Sequence, residues 1–135
     1  MKKIFRHILL PLLVVFLIFA ATCLWNGNSI PNMPSGIPWD KVVHFGMFFT
    51  LSAVCYFDYY QMHNGNPNKW RWIFWCFLLP MIYGAVVEWL QDNYFPTRSG
   101  DRFDFYADTL GSLVATVIAF IYLTKKRKSK KNISL

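Results

Sequence analysis

The chain has 135 residues, 55% of them apolar and only 16% charged, with a mean hydropathy of +0.27 and a net charge of +7. That balance is too apolar for an ordinary soluble domain, and the length suits one domain rather than two. The three cysteines, Cys23, Cys55 and Cys76, form no CxxC pair, which argues against a disulfide framework or a cysteine zinc site.

Four apolar runs predict four membrane helices, because an α-helix needs about 20 residues to cross roughly 30 Å of hydrocarbon. The first, 8–25, holds 18 residues without a charge. Lys2, Lys3 and Arg6 before it resemble the start of a secretory signal. Its apolar core exceeds the ~7–15 residues of a cleaved signal, so a retained signal-anchor helix is expected. The connecting segment carries Pro31, Pro34 and Pro38, which stiffen it. The second run, 42–60, can ionise only at His44 and Asp58. The third, 72–90, has Glu88 as its single charge, and the fourth, 105–124, has Asp108. The expected fold is an all-α membrane protein, a four-helix transmembrane bundle over residues 1–124 followed by a basic tail, 125–135.

Charge sets the expected orientation. With both termini cytoplasmic, the inner segments carry all but three of the fourteen basic residues, and only Lys41, Arg98 and Arg102 fall outside. That asymmetry is the positive-inside pattern. It predicts a multi-pass membrane protein with membrane lipid as a partner. The tail sequence KKRKSKK reads as a topology determinant; no nucleic-acid recognition fold accompanies it, so no nucleic-acid partner is expected.

Ionisable residues inside a bilayer cost roughly 2.5–3.5 kcal/mol each on insertion scales, which makes those retained there candidates for function. Here they fall into stripes. Lys41 and His44 are three apart; Glu88 and Gln91 are three apart; Asp101, Asp104 and Asp108 step by three and four. Each spacing keeps its members on one helix face. At 1.5 Å per residue, His44, Glu88 and Asp108 lie roughly 6–8 Å below the outer helix ends. A shared depth on three helices predicts that they converge, with Asp104, in one polar layer. Interhelical glue is the structural alternative, but Ser, Thr and Asn would serve that purpose with less desolvation.

Asp40-Lys41-x-x-His44-Phe45, Glu88-x-x-Gln91 and Arg98-Ser-Gly-Asp101-x-x-Asp104-x-x-x-Asp108-x-x-Gly111 together resemble the VanZ-like family of small bacterial membrane proteins. The resemblance runs from about Asp40 to Ala115. The family is named for a protein associated with resistance to the glycopeptide teicoplanin, and its biochemical activity is not established. Carried onto this chain, its pattern picks out Lys41, His44, Glu88, Gln91, Arg98, Asp104 and Gly111. One position departs, since the family usually has Asn where this chain has Asp108.

Two main functional expectations follow; a third, a proton-linked transporter, would need oligomerisation for four helices to make a pathway. The first is a ligand-binding site formed by Lys41, His44, Glu88, Gln91, Arg98, Asp101, Asp104 and Asp108. Its ligand would be an envelope lipid, a cell-wall precursor or a glycopeptide-type antibiotic. Lys41 and Arg98 suit phosphate or carboxylate, whereas the acidic excess of the outer face suits an amine or a metal cation. The second is an enzyme acting on a lipid-linked substrate, with Glu88, Asp104, Asp108 and His44 as candidate acid–base groups. No nucleophile motif supports it, and no cofactor or metal is demanded by the spacing.

Overall fold

A computed structural model describes residues 2–24, 36–95 and 100–133, and their side chains apart from those of 2–6, 131 and 133. Within them the chain is helical, without strands: α1 (Lys2–Phe19), α2 (Trp39–Met62), α3 (Lys69–Tyr94) and α4 (Arg102–Ile133). All four are long and apolar enough to cross a membrane. Their outward faces carry Leu9, Leu12, Phe16, Leu79, Ile82, Leu110, Val117 and Ile121, all exposed. A multi-pass membrane protein puts such residues against lipid, where a soluble bundle would put charge.

The helices outrun the apolar segments that predict them. α4 continues through the basic tail to Ile133, because Lys and Arg are good helix formers and no Gly or Pro interrupts them. α3 begins at Asn68, whose side chain caps the main-chain N–H groups of Trp70 and Arg71. Pro11 and Pro80 lie inside α1 and α3. Residues 20–24, expected as ordinary helix, form a π-helical turn, Ala20–Leu24. Thr22 Oγ1 there donates to the Ile18 carbonyl at 2.8 Å.

Both described ends of the chain lie at one end of the bundle. His7 on α1 approaches Asp58 near the end of α2 at 3.4 Å, and Arg127 on α4 donates to the Pro67 carbonyl in the α2–α3 turn at 2.8 Å. An aromatic cluster of Tyr56, Tyr60, Trp72, Cys76 and Leu123 fills this end. A second cluster, Ile18, Phe48 and Leu51, occupies the middle of the bundle. The polar layer caps the opposite end.

The α2–α4 contact is the most extensive, and Gly111 is the reason it is so close. A Cβ there would collide with the Phe45 carbonyl oxygen and come within 3.0 Å of the Phe49 nitrogen. Backbone-to-backbone approach of this kind is how membrane helices gain van der Waals packing where lipid offers no hydrophobic drive. Gly84 on α3 instead makes room for side chains, those of Phe48 and Asp108.

Candidate functional site

Three helix ends build the polar layer: the start of α2, the end of α3 and the start of α4. α4 begins where Asp101 Oδ1 accepts the Phe103 N–H at 2.9 Å, an N-cap. Asp104 and Asp108 then follow on the face turned to α2. Asp40 and Asp104 sit in the first turns of their helices, where the N-terminal dipole favours a carboxylate.

Lys41 bridges two of these acids, with Nζ 2.8 Å from Asp101 Oδ2 and 3.0 Å from Asp104 Oδ1. Its ammonium holds the Asp101 carboxyl below the ordinary carboxylate range, and the Phe103 N–H adds to the effect. One turn deeper, His44 Nδ1 lies 3.0 Å from Asp108 Oδ1. The other ring nitrogen, Nε2, faces Asp104 Oδ2 at 3.9 Å. Glu88 reaches in from α3, its Oε1 3.9 Å from His44 Nδ1 and its Oε2 accepting the Asp101 N–H at 2.9 Å. Exposure falls steadily along α4: the side chain of Asp101 is 40% exposed, that of Asp104 8% and that of Asp108 0%. The layer is a funnel, wet at Lys41 and Asp101 and dry at His44 and Asp108.

Gly100, just before α4, lies against the end of α3 that carries Glu88. Gly100 donates its N–H to Asp92 Oδ1 at 3.0 Å and lies so near α3 that a Cβ would sit 2.8 Å from the Glu88 carbonyl oxygen. Only a residue without a side chain lets the chain at position 100 approach the helix end this closely.

Six of the eight expected ligand-binding residues thus meet: Lys41, His44, Glu88, Asp101, Asp104 and Asp108. Gln91 does not join them. Its Nε2 donates to the Thr22 carbonyl at 2.9 Å, tying α3 to the π-helical turn. Arg98 lies outside the described residues. Asp40 is an addition, four residues before His44 on the same face and close to His44 and Asp104. That spacing was a usable signal. A second pair, His7 with Asp58, sits at the opposite end and carried none, since its members lie on different helices.

Chemically the layer offers an imidazole between two carboxylates, one ammonium, and two overlapping trios of possible cation ligands. Glu88 Oε1 and Asp108 Oδ2 are buried without a hydrogen-bond partner. No family model, curated protein or solved structure matches the chain.

Proposed function

We propose that this chain is a VanZ-like protein of the bacterial cytoplasmic membrane with both termini in the cytoplasm. Its polar layer faces outward and binds an envelope lipid, a cell-wall precursor or a glycopeptide-type antibiotic. Through that binding the protein contributes to tolerance of glycopeptides such as teicoplanin.

One observation carries the reading: ionisable side chains shielded from solvent, His44, Glu88, Asp104 and Asp108, converge from three helices with oxygens of Glu88 and Asp108 left without donors. A structural polar cluster satisfies its members, since an unmet buried acceptor costs about 1–3 kcal/mol. Among the described residues of the layer, five carboxylates, Asp40, Glu88, Asp101, Asp104 and Asp108, stand against the one ammonium of Lys41, which pairs with two of them. The acidic floor suits a cationic group, and Lys41 at the rim suits an anionic one. A zwitterionic amphiphile, with its tail along the apolar outer faces, satisfies both.

The position of His44 between Asp108 and Asp104 favours a second reading, acid–base catalysis on a lipid-linked substrate. In that case the imidazole relays a proton between the two carboxylates.

The test pairs membrane abundance with teicoplanin susceptibility in one strain, for Glu88→Gln, Asp104→Asn and His44→Gln. Binding or catalysis predicts normal abundance with lost tolerance. Full tolerance at normal abundance in all three variants defeats both readings. Turnover of purified lipid substrates, abolished in Glu88→Gln, separates the enzyme from the binding protein.

A further inference from the structure

We propose that His44, Glu88 and Asp108 form a divalent-cation site. It takes a borderline ion, Zn2+ or Mn2+, through His44 Nδ1, Glu88 Oε1 and a carboxylate oxygen of Asp108. One ligand atom from each of the three residues lies within 4.8 Å of the others. Two of the separations are 3.0 Å, from Nδ1 to Asp108 Oδ1, and 3.9 Å, from Nδ1 to Glu88 Oε1. Ligands held about 2.1 Å from a common ion lie roughly 3.0 Å apart at a right angle and roughly 4.2 Å apart when opposed. Both of these spacings fall inside that range, the geometry an ion between them needs.

The oxygens lacking partners point the same way. Glu88 Oε1 and Asp108 Oδ2 are buried and accept no hydrogen bond, and the Asp108 side chain is wholly inaccessible. Lys41, the described ammonium of the layer, is already committed to Asp101 and Asp104. Glu88 Oε1 and Asp108 Oδ2 are left without a donor, and a cation supplies what they lack.

The surroundings are arranged as a ligand shell needs. The Asp101 N–H holds Glu88 Oε2, which leaves Oε1 turned to the imidazole. His44 Nε2 faces Asp104 Oδ2, and a metal-bound histidine commonly presents its second ring nitrogen to a carboxylate in this way. The other trio, Asp40, His44 and Asp104, is the poorer site. Asp40 is exposed, and the Lys41 ammonium, 3.0 Å from Asp104, repels an ion there. One nitrogen with two carboxylates selects Zn2+ or Mn2+ over Ca2+ and Mg2+, which prefer oxygen alone.

Three protein ligands leave a coordination position open. With the ion standing where the cationic group of the proposed amphiphile would otherwise sit, that position would take an anionic group of the ligand; this use rests on that reading, whereas the ion site stands without it.

The experiment uses the full chain, without a histidine tag, purified in detergent, stripped of metal and titrated calorimetrically with ZnCl2 and with MnCl2. One ion per chain is expected for wild type, with affinity weakened about tenfold or more in Glu88→Gln and Asp108→Asn. Asp58→Asn, which alters the His7–Asp58 pair at the far end, should bind as wild type does. Wild type taking up neither ion overturns the proposal, as does equal weakening in Asp58→Asn and Glu88→Gln. Should the site variants not fold, the visible spectrum of wild type with Co2+ decides. Intense bands of a four- or five-coordinate ion are expected, and the spectrum of the aqueous ion refutes the site. Metal binding with unchanged teicoplanin tolerance in the variants removes the proposed ligand and leaves the ion site standing.

Discussion

Gly111→Ala is the sharpest perturbation of the packing that assembles the layer. The new methyl group meets the Phe45 carbonyl oxygen, with the Phe49 nitrogen at 3.0 Å and the Phe45 carbonyl carbon at 3.1 Å, all inside ordinary contact. These are main-chain atoms, so no side chain can rotate aside and α2 must shift bodily from α4. Overpacking costs about 1–3 kcal/mol, and an obstruction this rigid belongs near the upper figure. Removing a helical glycine returns about 0.5–1 kcal/mol, leaving a net loss of about 2 kcal/mol. That corresponds to roughly a 30-fold change in the folding equilibrium. Gly46→Ala is the matched control, because a Cβ at this position on α2 meets nothing within 4 Å. It should be neutral or slightly stabilising. Unfolding in mixed micelles with increasing sodium dodecyl sulfate, followed by tryptophan fluorescence, compares the three proteins. The displacement also separates His44 from Asp108, three residues from Gly111, so the metal affinity proposed for this site should fall with stability. Equal stability of Gly111→Ala and Gly46→Ala would refute the close-packing argument.

Two further outcomes are expected. Cysteines introduced at Ser29 or Ser99, in a background with Cys23, Cys55 and Cys76 replaced by serine, should label from outside intact cells, and one at Ser129 only after permeabilisation; the reverse pattern overturns the proposed orientation. Asp101 has a lowered folded-state pKa, so its contribution is present above the ordinary carboxylate value and is lost as pH falls through the lower folded value. Asp101→Asn should therefore show a shallower acid-side loss of stability than wild type in the same micelle assay, and an unchanged acid limb would exclude a stabilising Lys41–Asp101 tie.

Much of the architecture could be read from the chain. Hydrocarbon thickness imposes a length on any spanning helix, so four uninterrupted apolar runs are enough to count four spans. Helical period imposes a face, so residues three and four apart sort into stripes: Lys41 with His44, and Asp101 with Asp104 and Asp108. Both are local properties, carried by neighbouring residues. Helix ends were less legible, because a helix continues past the apolar run wherever nothing stops it, as α4 does to Ile133.

Tertiary structure alone decided which stripe meets which, and on what terms. Nothing in the spacing says that Lys41 ties Asp101 to Asp104, or that His44 pairs with Asp108 and only approaches Glu88. Gln91 shows the limit well: its phase matches that of Glu88, yet the π-helical turn at the end of α1 places a carbonyl within its reach. The His7–Asp58 pair was invisible for the same reason. Period and length are written within one helix, whereas the partner of a side chain depends on the rotation and separation of two. For α2 and α4 the separation is set by the close contact at Gly111.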